Sequence, residues 1–249
     1  MPSPELVIFV GLTGAGKSTA VEALLSAVPG ALLLPNRRAL TDRIVIPEAQ
    51  HLAGEDVRPV TDRIERFRLT ARYREAHPGG MAHALQRYLE DRDVPSTVPL
   101  LVFDNLRGDD EVGFAADAFD GARFVVLEAP AEARILRLAG RHDAFDRAAA
   151  APEPAGPAVA AEPSGLAARL ADVPGLGRLT DPAALLRAAR GLDPDAVLTA
   201  ARIIAEESAH YDDAAAWARL AALPASRRLR LDTGGLSAAE VAGRLRAWL

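Results

Sequence analysis

One lysine stands in a sequence of 249 residues, and it stands where phosphate chemistry would need it. Gly11-Leu12-Thr13-Gly14-Ala15-Gly16-Lys17-Ser18 has the spacing G-x-x-x-x-G-K-S. Glycines at these intervals let a backbone curl so that its N–H groups point inward at phosphate oxygens. An ammonium at position 17 acts as a point charge for β- and γ-phosphates, and a hydroxyl at position 18 ligates Mg²⁺. Thr19 extends the set toward an α-phosphate. The loop therefore predicts ATP and Mg²⁺, with Gly11, Thr13, Gly14, Ala15, Gly16, Lys17, Ser18 and Thr19 holding the nucleotide.

A second cluster is Leu100-Leu101-Val102-Phe103-Asp104, an apolar strand ending in a carboxylate. Asp104 is placed to hold the metal, through a water, together with Ser18. Asn105 follows it. ATPases that activate water at this place commonly use glutamate there, so an asparagine favours transfer to a bound acceptor over hydrolysis. Arg134, Arg137 and Arg141 fall at i, i+3 and i+7, on one helical face. Arginine stays charged, and its planar fork matches phosphate oxygens. Glu207 and His210 have the spacing of a metal-binding Glu-x-x-His, but a carboxylate-bridged dimetal site needs two such copies. The segment Glu206–Asp213 reads as a solvated polar helix end.

The elements that must position these groups follow from periodicity. Leu6–Val10 is a short apolar run, read as a buried parallel strand that delivers the chain to Gly11. Lys17–Ala27 carries apolar residues at helical spacing. Leu32–Leu34 reads as a second strand and Asn36–Gln50 as irregular. Thr61–His77 reads as an amphipathic helix, apolar on Ile64, Phe67 and Ala71 and polar on Arg63, Arg66, Thr70, Arg74 and His77. Met81–Asp91 is a further helix, Phe124–Leu127 a further strand, and Pro130 opens a helix that runs to about Gly140.

Residues 148–163 are half alanine and a quarter proline, the composition of a linker. Residues 165–223 show only helical signals, with Asp181-Pro182 and Asp193-Pro194 as N-cap and first-turn pairs. Leu229–Leu231 is the last strand, and Ser237-Ala-Ala-Glu240 is a capping box. Strands alternating with helices predict a three-layer α/β fold around a parallel sheet, with a helical insertion before the last strand.

Composition sets outer bounds. The chain has no cysteine, so disulfides, thiolate metal sites and cysteine nucleophiles are excluded. Of 29 basic residues 28 are arginine, an enrichment that a GC-rich coding sequence explains. A net charge of −5 argues against general binding to nucleic acid or membrane surfaces. No apolar run approaches the roughly 20 residues that span a bilayer, and the N-terminus lacks the features of a signal peptide. The expectation is a cytoplasmic protein, a monomer or homodimer, acting on a small molecule.

With the loop, the Asp104 strand and the stretch FDNLRGDDEVGFAADAFDGARFVVLEAPAEARILRLAGRHDAFD (103–145) in view, the chain resembles the P-loop kinase group, near the adenylate-kinase-like and dephospho-CoA-kinase-like proteins. Such proteins are often labelled simply AAA-family ATPases. They often carry Asp-Gly-x-Arg after the second motif strand; here the segment is Asp104-Asn105-Leu106-Arg107. The C-terminal LRLDTGGLSAAEVAGRLRAWL is similar to their last strand and helix. The resemblance covers roughly 1–147 and 226–249, a nucleotide-binding core separated by the 148–163 linker and a 164–225 helical insertion serving as lid or platform. It implies that arginines near 134–141, above all Arg141, neutralise the transferring phosphoryl group alongside Lys17 and Asp104. It also implies an acceptor site between the second strand and the Asp104 strand. Candidates there are Arg37, Arg38, Asp42, Arg43, Arg63, Arg66 and Tyr73, with Arg107 beyond, and Asp42 as a possible base. The implied activity is transfer of the γ-phosphoryl group of ATP to a small, anionic or nucleotide-like acceptor. The alternative is an ATPase or nucleotide-dependent switch whose insertion binds a protein or nucleic-acid partner.

Overall fold

Five strands form one parallel sheet in a computed structural model of the chain, in which residues 5–92, 95, 97–140 and 163–249 are described. The strands are β1 (Glu5–Val10), β2 (Leu32–Leu33), β3 (Leu100–Leu106), β4 (Arg123–Glu128) and β5 (Arg228–Asp232), in the order β2-β3-β1-β4-β5. β1 lies centrally, with Ile8 opposite Phe103 of β3 and opposite Phe124 of β4. Such a strand is buried on both faces, which is why its sequence is a continuous apolar run rather than an alternation. Val7, Ile8, Phe9 and Val10 are all fully buried. A register shift between Ile8 and Val10 brings Val10 opposite Leu106, and Gly11 N–H donates to the Leu106 carbonyl at 3.3 Å. The loop after β1 thus starts beside the carboxyl end of β3, at the sheet edge where α/β folds bind ligands.

The chain divides into two compact units. The sheet unit comprises Met1–Gly11, Gly16–Glu128 and Asp212–Leu249; the other comprises Leu12–Ala15 and Ala129–Tyr211. In the sheet unit, α1 (Lys17–Ala27) packs on α13 (Ala238–Trp248), whose Ser237 and Glu240 form the expected capping box. The alternate sheet residues Ile8, Val10, Phe103 and Phe124 join a core with α2 (Arg37–Leu40), α3 (Ile46–Leu52), α4 (Arg63–Ala76), α5 (Gly80–Glu90), α6 (Gly108–Ala118) and α12 (Asp213–Arg219). Each large apolar side chain so buried contributes roughly 1.5–3 kcal/mol. Sheet order and strand direction make this an α/β fold around a parallel sheet, with the glycine-rich loop following its central strand.

The second unit is helical and precedes the last strand, as the sequence predicts. It contains α7 (Ala131–Ala139), α8 (Pro163–Ala171), α9 (Leu176–Leu179), α10 (Pro182–Ala188) and α11 (Pro194–His210). Its own core gathers Ile135, Leu138, Leu170, Leu176, Leu185, Val197 and Ile204. Asp181 and Asp193 cap α10 and α11, each accepting from two backbone N–H groups. The alanine- and proline-rich stretch 148–162 lies outside the described residues, and Pro163 opens α8.

Two sequence readings change. Asn36–Gln50 is helical rather than irregular: Asn36 caps α2 by accepting from Ala39 N–H at 3.0 Å, and one wide π turn over Thr41–Val45 joins α2 to α3. Leu40, Val45, Ile46 and Ala49 are buried there, a pattern hidden by the charges between them. On α4 the apolar residues picked from the sequence are not the buried ones. Ile64 and Phe67 are 81% and 79% exposed, while Leu69 and Tyr73 are buried. Arg66 and His77 lie partly buried because each meets a carboxylate, Asp42 at 2.5 Å and Glu48 at 2.8 Å.

Candidate phosphoryl-transfer site

The phosphate loop is built by backbone conformations that only glycine adopts freely. Gly14 and Gly16 have φ of 79° and 89°. A Cβ on Gly14 would lie 2.8 Å from the Arg134 carbonyl oxygen, so this position also requires glycine for close approach to α7. Gly16 packs against Thr233, which follows β5 and is anchored by its N–H and hydroxyl to the Glu128 carbonyl. The loop is tightened by Ala15 N–H donating to the Leu12 carbonyl at 3.2 Å. Lys17 folds back on it, Nζ donating to the Gly11 carbonyl at 2.6 Å.

At α1 itself, no side chain caps the N-terminus and no acidic residue occupies the first turn. The positive end of the helix dipole there favours an anion. Ser18 and Thr19 are exposed in that first turn. β3 runs on through Leu106, so Asp104 sits within the strand rather than at its end. Asp104 is partly buried, and its Oδ1 accepts from the Asn105 side-chain amide. One hydroxyl and one carboxylate suit Mg²⁺, which takes most of its ligands from water and phosphate. The glycine turns, the uncapped start of α1 and these oxygen donors are of the chemistry that suits a magnesium–nucleotide.

Leu12–Ala15 of the loop belong to the helical unit, and side chains of that unit hold them. In the helical unit Glu207 is 7% exposed, not part of a solvated helix end. It accepts from Thr13 N–H at 2.8 Å and from the Thr13 hydroxyl at 3.0 Å. Arg134, 5% exposed, donates from Nε to the Thr13 carbonyl and from Nη2 to Glu207, both at 2.8 Å. Arg137 donates to the Gly14 carbonyl at 3.1 Å. Two of the three arginines singled out in sequence thus bind loop carbonyls. Arg141 lies outside the described residues.

Among the residues suggested for an acceptor, the organising residue is one that sequence reading passed over. Glu111, in the first turns of α6, is 2% exposed. It accepts from Arg37 Nη1 and Nη2 at 2.9 and 2.7 Å, from Arg107 N–H at 3.0 Å and from Met81 N–H at 3.3 Å. Arg74 Nη2 stands 3.8 Å from it. Arg37 also donates to the Asn105 carbonyl at 3.2 Å, tying this group to the residue after Asp104. A cleft of about 530 Å³ adjoins Arg38, lined by Asp42, Arg58 and Arg66 and by the apolar Ile46, Val57 and Val60. Asp42 in this cleft is paired to Arg66.

Other acceptor candidates are placed differently. The Arg43 guanidinium lies 5.4 Å from the centre of the Tyr88 ring. Tyr73 is 1% exposed, its hydroxyl 2.8 Å from His83 Nδ1. Burial and the neighbouring Glu48 push its hydroxyl pKa well above the usual range. The side chain of Arg63, which opens α4, is outside the described set. Among the described residues, no helix is long and apolar enough to cross a membrane.

The chain is similar in structure to TT1252 from Thermus thermophilus, at 21% identity and a TM-score of 0.39, over 57% of this chain and 74% of that one. It is also similar to an unliganded sugar kinase from Janibacter sp. HTCC2649, at 15% identity and a TM-score of 0.42, over 99% of this chain and 94% of that one. No protein-family model and no curated protein matches the sequence.

Proposed function

We propose that this chain is a phosphotransferase that moves the γ-phosphoryl group of magnesium-bound ATP to a small anionic acceptor. The observation that carries this reading is the arginine group around Glu111. The guanidinium groups of Arg37 and Arg74 and the backbone N–H of Arg107 meet one buried carboxylate next to the strand that bears Asp104. Guanidinium groups suit recognition of an anionic acceptor, because their planar fork matches carboxylate and phosphate oxygens. A hydrolase, whose second substrate is water, has no use for such a cluster.

Bound Mg²⁺ would neutralise charge on the β- and γ-phosphates. Lys17 and loop N–H groups would bind those phosphates, while Ser18 and Asp104 would hold the ion. Arg37, Arg74 and Arg107 orient the acceptor, and the cleft between Arg38 and Arg66 takes its less polar part. Catalysis is then positioning and charge neutralisation, without a covalent enzyme intermediate.

The test is ATP consumption alone and with a panel of nucleotides, nucleosides and phosphorylated metabolites. Acceptor-dependent consumption with a phosphorylated product supports the reading. Consumption that ignores acceptors and rises with a protein or nucleic-acid partner overturns it in favour of a switch.

A further inference from the structure

We propose that Glu207 is a positioning residue that sets the phosphate loop through Thr13 and Arg134. The proposal rests on the reading of Gly11–Thr19 as a nucleotide site. All three polar groups of Thr13 are taken by two side chains. Its N–H and hydroxyl go to Glu207, and its carbonyl goes to Arg134, which Glu207 holds in turn. Arg134 Nη1 also reaches the Ser208 hydroxyl at 3.4 Å.

The consequence lies in the peptide plane. In a trans peptide the carbonyl and the following N–H point to opposite sides. Fixing the Thr13 carbonyl on Arg134 therefore turns the Gly14 N–H away from the guanidinium and leaves it to phosphate. Thr13 N–H is spent on Glu207, so it is not itself a phosphate donor. A carboxylate is otherwise a poor neighbour for a site that binds anions. Here its charge is matched by Arg134, with both side chains 6% exposed. A buried charge pair of this kind is poorly suited to adding stability alone. Its geometry suits fixing one backbone orientation.

The experiment uses the full chain in four forms: wild type, Glu207→Gln, Thr13→Val and Glu206→Gln. Glu206 is the exposed neighbour on the same helix, so its variant makes the same charge change away from the loop. Amide exchange at Thr13 without nucleotide reads the latch directly, and titration with Mg-ATP reads its effect. Glu207→Gln is expected to speed Thr13 exchange and weaken Mg-ATP at least about tenfold. Glu206→Gln is expected to match wild type. Thr13→Val, which removes one hydrogen bond and keeps the shape, is expected to weaken Mg-ATP with an unchanged melting temperature; it decides the matter if Glu207→Gln does not fold. Wild-type affinity in both Glu207→Gln and Thr13→Val overturns the inference while leaving the nucleotide site intact. A wild-type chain that binds no Mg-ATP instead overturns the reading on which it rests.

Discussion

Glu111 and Arg37 are joined by two hydrogen bonds, with the carboxylate buried and the guanidinium only 24% exposed. They connect α6 to the start of α2, and through the Asn105 carbonyl to β3. Removing the carboxylate would take two hydrogen bonds from the Arg37 guanidinium and leave a buried hole beside it and Arg74. Glu111→Ala is expected to lose about 3–5 kcal/mol in urea unfolding, as for other broken buried pairs. Arg37→Lys is expected to lose much less stability but to raise KM for the acceptor and leave KM for ATP unchanged. A rise in KM for ATP alone would move Arg37 out of the acceptor site.

Gly14 tests the loop from its tightest point. Alanine there meets the Arg134 carbonyl oxygen at 2.8 Å and must adopt a φ of +79°. The left-handed conformation alone costs roughly 1–2 kcal/mol. Gly14→Ala is expected to lose more than that in unfolding experiments and to bind no Mg-ATP in calorimetry. Gly165, in α8 with open space around its Cα, is the control. Gly165→Ala is expected to gain about 0.5–1 kcal/mol.

Lys17 is the one lysine in a chain of 28 arginines, and its Nζ lies against the loop backbone. The planar guanidinium is bulkier than an ammonium and cannot act as a compact point charge in that cradle. Lys17→Arg, despite conserving charge, is expected to reduce ATP turnover by at least about 100-fold. Near-normal turnover would place the chemistry elsewhere.

His83 gives the acceptor-side helices a dependence on pH. Its ring stacks on His77 at 4.1 Å between centroids, and Tyr73 shares a hydrogen bond with its Nδ1. Burial, then the charge on His77, holds the His83 pKa below its ordinary value, with Glu48 and Glu90 opposing and Arg87 assisting. The unfolded chain therefore binds the proton first, below about pH 6.5. The His83 contribution is complete above that pH and is lost as pH falls through the folded value. Urea unfolding from pH 8 to 5 is expected to show stability falling below about 6.5, with a shallower slope in His83→Gln. An NMR titration midpoint for His83 above 6.5 would contradict this.

What was legible in the sequence is what is local. The central strands show as uninterrupted apolar runs because both their faces are covered. The phosphate loop shows because its glycines act through their own backbone. The caps at Asp181, Asp193 and Ser237 bond N–H groups two or three residues away. What was hidden depends on distant partners. Glu207 meets Thr13 across 194 residues, and nothing in its neighbourhood distinguishes it from a surface glutamate. Glu111 has the same character, its charge absorbed by Arg37 from 74 residues away. On α4, pairing with Asp42 and Glu48 draws Arg66 and His77 inward, so polarity no longer reports exposure. A signal was present in Glu111 all the same. It follows two aspartates at the start of a helix, where it can reach back to the N–H of Arg107.

The central claim concerns where the γ-phosphoryl group goes. Single-turnover reactions with γ-labelled ATP, Mg²⁺ and the acceptor found in the panel would follow the label directly. The account predicts that the label appears on the acceptor in amounts equal to the ADP formed, and that Lys17→Arg abolishes the transfer. Label appearing as inorganic phosphate at the same rate with and without acceptor would contradict it.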